Sequence, residues 1–396
     1  MPKNNDMLSI LGFGCMRLPV KGEMIDEERA IRQIRHAIDS GVNYVDTAWP
    51  YHAGQSEILL GKALKDGYRD RVRVATKLPS WMINSREDMD RYLAAQLKKL
   101  DIDRIDYYLI HSLDRSLWDT VEGHGVIDFI NRAKADGRIV NAGFSFHGLG
   151  NDFKQIVDAY PWEFCQIQYS YLDEQNQAGT EGLKYAAAKN LGVIVMEPLR
   201  GGNLGRAAQP SAVEKIWKKA KTQRTPAEWA LRWVWNHPEV TVVLSGMNEE
   251  AHIAENLALA DSALPNSLSD DELTLVQQVS RKYQELMKVP CTGCGYCMPC
   301  PSGVSIPVCF ETYNTMHMFG DHEFHKFLYA VRMSGIVGDS KPAYASQCTE
   351  CGQCLDQCPQ HIPVPEFLAK VVEEMEGPDM EKRLAMAVPM FRDEPK

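Results

Sequence analysis

Over roughly the first 260 residues, short apolar runs alternate with longer amphipathic ones. The runs SILGF (9–13), VNYVD (42–46), VRVATK (72–77), DYYLIH (106–111), IVNAGFS (139–145), FCQIQ (164–168), GVIVME (192–197) and TVVLS (241–245) have the length and the β-branched or aromatic content of buried strands. The stretches between them, such as 26–41, 86–100 and 225–238, repeat their apolar positions every three or four residues, which predicts helices. The last of these carries a start signal. Thr225 caps the free N–H groups, Pro226 fits the first turn, and Glu228 is placed to reach back and complete a capping box. Eight strands, each followed by a helix, predict an α/β fold of the (β/α)8 TIM-barrel type. A doubly wound nucleotide-binding sheet would also alternate, but its glycine fingerprint fails here: the first strand runs into GFGCMR, which lacks the third glycine.

Beyond the eighth strand the pattern changes. Residues 267–289 read as a helix leading out of the barrel, and residues 291–358 then hold nine of the eleven cysteines. The expected organisation is a barrel over 1–288, a small, cysteine-rich, mainly helical domain over 289–366, and a C-terminal helix with a loose tail over 367–396.

Composition narrows the partners. A hydrophobic content of 44% with 24% charged residues gives an ordinary globular core. The net charge of -10, with no dense Lys/Arg stripe, predicts that nucleic acid is not bound. No apolar run approaches the about 18 residues of a membrane span, and the start MPKNNDMLSILGFG lacks the pattern of a secretory signal. The expected location is cytoplasmic, where clustered thiols serve metal or redox chemistry rather than disulfides.

The thiols form two motifs. Cys291, Cys294, Cys297 and Cys300 precede Pro301; Cys348, Cys351, Cys354 and Cys358 precede Pro359. The second is an unbroken C-x2-C-x2-C-x3-C-P, the run that wraps a 4Fe–4S cube, its fourth cysteine commonly crossing to the other cluster. Zinc motifs instead pair their cysteines across a spacer. Two 4Fe–4S clusters are therefore expected, and the segment resembles a helical two-cluster ferredoxin domain. The first motif has two residues rather than three before its last cysteine. This leaves Cys300 or Cys309 as fourth ligand, and the following proline favours Cys300. Cys15 and Cys165 fall on barrel strands and read as core.

In a (β/α)8 barrel, chemistry gathers where the strands end. Asp46, Lys77 and His111 finish three successive strands, and Tyr51 lies in the loop after Asp46. Each alone has a bland explanation as a cap, a surface charge or a hydrogen-bonded core histidine. Three in succession are harder to explain that way, because burial makes charge expensive unless it is paired.

The stretches GVNYVDTAWPYHAGQSEILLGKAL, VATK, YYLIHSLD, GFSFH and QIQYS stand in the order and spacing of the aldo-keto reductase family, which the chain resembles over roughly residues 8 to 260. The resemblance implies a tetrad of Asp46, Tyr51, Lys77 and His111 that moves hydride between NADH or NADPH and a carbonyl or alcohol substrate. A lysine beside the phenol would lower its pKa from about 10 toward the working range, and Asp46 would keep that lysine charged. The resemblance also implies that Ser145 and Gln166 hold the nicotinamide carboxamide. Leu199 and Arg200, with Ser245, Gly246, Met247, His252, Glu255 and Asn256, would hold the rest of the dinucleotide. The chain departs from the family at Phe146, where asparagine is common, and at Met196, where many members stack an aromatic ring. Gly246 and His252 stand where NADPH-preferring members carry basic residues, for which Arg200 and Arg206 are the available substitutes. Trp49, His52, Trp81 and Trp118 either line the substrate pocket or pack the rim.

Iron–sulfur clusters move single electrons and a nicotinamide moves a hydride, so the two halves need not form one circuit. The favoured reading is a nicotinamide-dependent oxidoreductase with accessory clusters. The runner-up is a ferredoxin-linked enzyme that passes electrons between a redox partner protein and a flavin or substrate in the barrel. A redox-responsive regulatory protein is the third reading, against which the intact tetrad argues.

Overall fold

Every one of the eight apolar runs becomes a parallel strand. The computed structural model describes residues 1–396 apart from Glu23, Leu149, Thr292, Cys294, Tyr296, Asp321, 336–340, Pro359 and 393–396. The chain divides into two compact units, Met1–Ala207 with Arg224–Leu273, and Ala208–Gln223 with Thr274–Lys396.

In the first unit the strands are β1 Leu11–Gly14, β2 Tyr44–Asp46, β3 Arg73–Leu78, β4 Ile105–Leu113, β5 Ile139–Phe146, β6 Phe164–Gln168, β7 Gly192–Met196 and β8 Val240–Ser245. They pair in sequence order, and β1 closes the barrel by pairing with both β2 and β8. All boundaries lie within two residues of the apolar runs. β4 continues two residues beyond its run, through Leu113, past a register shift where Ser112 takes a left-handed φ of 55°. Such a bulge re-aims neighbouring side chains, and His111 is the residue beside it.

The barrel interior is solid. Tyr44, Ala75, Tyr107, Leu109, Phe164, Ile194, Val242 and Leu244 form one buried cluster. Tyr107 meets Tyr44 and Phe164 edge-on, with ring centroids 5.4 and 5.1 Å apart. Met1 and Leu8 pack against the same cluster. Asp6 accepts from Arg73, the first residue of β3, and from the Tyr107 hydroxyl, so the N-terminal segment covers the end where the strands begin. Only the opposite end is left for chemistry.

The helices form for local reasons. Glu27–Asp39 buries Ala30, Gln33, Ile34, Ala37 and Ile38, one stripe at helical spacing, and starts where the Asp26 carboxylate accepts from the Arg29 N–H. Arg86–Leu100 begins with a full capping box between Ser85 and Asp88. Pro226–Trp235 has only half of the box expected for it. The Thr225 hydroxyl accepts from the Glu228 N–H at 3.0 Å, but the Glu228 carboxylate turns to Arg232 at 2.7 Å. A charged partner one helical turn on outcompetes a neutral N–H.

In the second unit, Ile306–Phe319, His322–Met333 and Val364–Met375 are helices around a core of Val289, Val304, Ile306, Phe310, Tyr313, Tyr329, Leu368 and their neighbours. Gly320, at a φ of 77°, ends the first of them. Met380–Arg392 is helical, in place of the loose tail expected there. No helix among the described residues is long and apolar enough to cross a membrane.

Candidate active site and thiol-lined cavities

Asp46 ends β2, Lys77 is the last residue but one of β3, and His111 lies on β4 beside its bulge; all three are buried. The Lys77 ammonium donates to Asp46 Oδ1 at 2.6 Å, to the Thr47 carbonyl at 2.8 Å and to the Tyr51 hydroxyl at 3.5 Å. The Tyr51 and His111 rings meet edge-on with centroids 6.2 Å apart. The four residues singled out from the sequence therefore converge on one point of the rim. Thr47 is an addition to them; its side chain is turned to Ser56 and only its backbone oxygen serves the lysine, for which sequence carries no signal.

The electrostatics hold the ammonium charged and the phenol and imidazole neutral. Burial alone would drive the Lys77 ammonium down, but Asp46 and Tyr51 outweigh it and its pKa rises above the ordinary lysine value. Burial lifts the Asp46 carboxyl, against the pull of Lys77 and the hydrogen bond from Gln166. Burial, reinforced by Lys77 and His147, pushes the His111 imidazole well below the ordinary histidine range, so it is neutral. Tyr51 corrects an expectation. Its phenol is held above the ordinary tyrosine value, because burial exceeds the favourable field of Lys77, and Asp46 and Glu197 add to the rise. Burying a phenol penalises its charged form, and here that penalty exceeds what the neighbouring ammonium returns.

Gln166 donates its amide nitrogen to Asp46 Oδ2 at 3.2 Å, while its amide oxygen is buried without a partner. That orphaned acceptor fits a ligand that brings an N–H group, as a nicotinamide carboxamide does. The Ser145 hydroxyl accepts from the Ser112 N–H at 2.7 Å. At the end of β8, the Asn256 amide donates to the Ser245 hydroxyl at 3.0 Å and Met247 is buried. Gly246 leaves room for its neighbour: a Cβ there would lie 3.1 Å from the Arg17 side chain. Arg17, which the sequence does not single out, donates to the Gly201 carbonyl at 2.7 Å in the loop after Leu199. Arg200 in that loop is already drawn to Asp173, at 3.4 Å. Glu255 accepts from the Thr225 hydroxyl at 2.6 Å, and His252 is exposed.

The four rim aromatics separate. Trp49 packs on Tyr92 beneath the Lys99 ammonium, His52 accepts from the Leu18 N–H, and Trp118 is buried against Trp162. Trp81 alone is both substantially exposed, at 45%, and beside the tetrad, its ring 5.1 Å from that of His111.

In the second unit, Cys300, Cys348, Cys351 and Cys354 line a cavity of about 170 Å3, together with Cys297. Cys291, Cys297 and Cys358 line a smaller hollow. Cys294 lies outside the described residues. Cys309 lines neither; it is fully buried, within sulfur contact of Met333 and Tyr329. Among the described residues, no three His, Cys, Asp or Glu side chains close in tightly enough for a single ion. Five thiols around a larger space suit a cube of iron and sulfide better than one zinc. Cys15 and Cys165 are buried in the barrel.

A closed parallel barrel with ionisable groups gathered at one end defines the class, and the comparisons define the family. The model of the aldo/keto reductase family matches residues 10–281, and the chain belongs to that family; it is an oxidoreductase. A 4Fe-4S dicluster domain model matches residues 290–362. A "Probable aldo-keto reductase 1" of Glycine max is 26% identical over 300 residues, covering 67% of this chain and 84% of that protein. The NADH-specific methylglyoxal reductase of Escherichia coli is 26% identical over 322 residues, covering 69% and 95%. Among solved structures, the holo form of an aldo-keto reductase from Bacillus halodurans is 25% identical at a TM-score of 0.59, over 70% of this chain and 94% of that one. An aldo-keto reductase from Klebsiella pneumoniae in complex with NADPH is 25% identical at a TM-score of 0.56, over 69% and 91%.

Proposed function

We propose that this oxidoreductase interconverts a small-molecule carbonyl and its alcohol with NADH or NADPH, Tyr51 acting as general acid in one direction and general base in the other. The observation that carries this reading is one buried ammonium shared between a carboxylate at 2.6 Å and a phenol at 3.5 Å. The nicotinamide, when bound, supplies or accepts the hydride. Everything else falls to the chain. Tyr51, protonated across the physiological range, gives its proton to the substrate oxygen. Lys77 steadies the phenolate left behind. Asp46 keeps Lys77 charged in a site that would otherwise strip its proton. His111, being neutral, donates a hydrogen bond to the same oxygen without competing as the acid. Ser145 and Gln166 would hold the carboxamide. Leu199, Arg200, Ser245, Gly246, Met247, His252, Glu255 and Asn256 would hold the remainder of the dinucleotide.

The thiols would hold two 4Fe–4S clusters, one on Cys348, Cys351, Cys354 and Cys300, the other on Cys291, Cys294, Cys297 and Cys358. The cavities support this grouping, in which the last cysteine of each motif crosses to the other cluster. The functional modules are a barrel over 1–288, a cluster domain over 289–366 and a terminal segment over 367–396.

Screening carbonyls and alcohols with each nicotinamide under anaerobic conditions tests the reading. Tyr51→Phe should lower turnover by about 10²–10⁴ with dinucleotide binding retained; near-normal turnover would refute it. The exposure of Cys351 favours a second reading, in which the clusters exchange electrons with a redox partner protein and a flavin or substrate in the barrel. Resolved flavin bands in the absorbance of anaerobically purified protein would promote that reading over the first.

A further inference from the structure

Gln166 and Asp46 are 120 residues apart in sequence, and both are buried. The amide between them has a fixed orientation. Turning it over would set its oxygen against the carboxylate, so Asp46 dictates that the nitrogen faces Oδ2 and the oxygen faces away. The other carboxylate oxygen, Oδ1, carries the Lys77 ammonium, which in turn reaches Tyr51. A continuous hydrogen-bonded chain therefore runs from a buried, unpartnered amide oxygen to the phenol: Gln166, Asp46, Lys77, Tyr51.

We infer that Gln166 is a positioning residue that relays occupancy of the barrel mouth to Tyr51: a donor arriving at its amide oxygen strengthens its hold on Asp46 and so frees Lys77 to favour the phenolate. The inference rests on the nicotinamide reading above and adds a coupling to it.

The physical steps are each ordinary. A hydrogen bond accepted at an amide oxygen polarises the amide and makes its N–H a stronger donor. A carboxylate that receives more from one side has less charge density to offer on the other. Lys77 is then less fully neutralised by Asp46, and its field at the Tyr51 oxygen grows. This answers a difficulty in the free protein, where burial holds the phenol above its ordinary value despite the lysine beside it. The acid becomes more willing to part with its proton when the ligand is seated.

The donor itself is the handle for a test. Reduced nicotinamide adenine dinucleotide carries a carboxamide with N–H groups; its reduced 3-acetylpyridine analogue has the same shape and a carbonyl but no N–H. Both are titrated into the full-length, cluster-loaded protein by fluorescence. The ionisation of Tyr51 is read as the difference in phenolate absorbance between the protein and its Tyr51→Phe variant, with each ligand bound. Wild type should bind the amide form about tenfold more tightly than the acetyl form, the worth of one buried hydrogen bond. Its Tyr51 should ionise at lower pH with the amide form than with the acetyl form. In Gln166→Leu both differences should vanish together. The comparison of two ligands on wild type stands even if the variant folds poorly. Equal affinity for the two forms, or an affinity difference with no difference in Tyr51 ionisation, overturns the relay. If neither form binds, the nicotinamide reading itself falls, and the relay with it.

Discussion

The Lys77 ammonium lies 2.6 Å from the Asp46 carboxylate, and the two side chains are only 1% and 4% exposed. Taking apart a pair at that depth leaves one charge uncompensated in a poorly polarisable surrounding. Asp46→Ala or Lys77→Met should each cost about 3–5 kcal/mol in guanidinium unfolding. Replacing both, Asp46→Leu with Lys77→Met, should cost less than the sum of the two, because no lone charge remains. Strict additivity would show that the two groups do not lean on each other.

His111 makes the stability depend on pH in a defined direction. In the unfolded chain a histidine titrates near 6.5, whereas burial holds the folded His111 well below that. Above about pH 6.5 both states are neutral there. As the pH falls below that value, the unfolded state takes up a proton that the native state refuses. Native stability then declines by up to about 1.4 kcal/mol per pH unit, until the folded pKa is reached. The stability gap between wild type and His111→Asn should therefore narrow between about pH 7 and pH 5 in urea titrations. A gap that stays constant over that range would mean that His111 takes up a proton in the folded state as readily as in the unfolded chain.

The two cysteines left open by the first motif should behave differently. Cys300 lines the larger thiol cavity and Cys309 sits in the apolar core against Met333. Cys300→Ser should lose about half of the iron and the spectrum of one cluster. Cys309→Ser should keep its iron and lose stability instead, since a hydroxyl would replace a thiol in a core position. Iron analysis with low-temperature paramagnetic resonance distinguishes the two, and full iron in Cys300→Ser would reassign the ligand.

Trp81 is the one rim aromatic of the four with both exposure and proximity to the tetrad. Trp81→Ala should raise KM for carbonyls bearing an apolar group by about tenfold, the loss of one aromatic contact surface, and change KM more than kcat. An effect confined to kcat would place the ring in the chemistry rather than in substrate packing.

How much of this is legible from the chain depends on how local the cause is. Strand positions are legible because apolar runs of strand length can only be satisfied inside the barrel. Asp46, Lys77 and His111 are legible because they finish such runs. The bridge from Gln166 to Asp46 is not, since nothing in either neighbourhood marks a partner 120 residues away. The direction of the Tyr51 shift runs against expectation for a related reason: the family pattern brings lysine beside tyrosine, but it does not reveal how deeply the phenol is buried, and burial outweighs the lysine's field. Glu228 reads as part of a cap because both ends of that bond lie in one turn, yet Arg232 lies one turn further and wins. Trp49 and Trp118, equal to Trp81 as letters in a loop, are sorted only by tertiary packing.

The aromatic filling of the barrel, Tyr44 against Tyr107 against Phe164, sets a floor beneath the tetrad. Nothing that enters from the rim can descend past it. Recognition of different molecules must then be written in the surface connections alone, while the filled cylinder below is indifferent to what is being recognised. Substrate preference in this chain is free to drift without endangering the scaffold on which the acid is mounted.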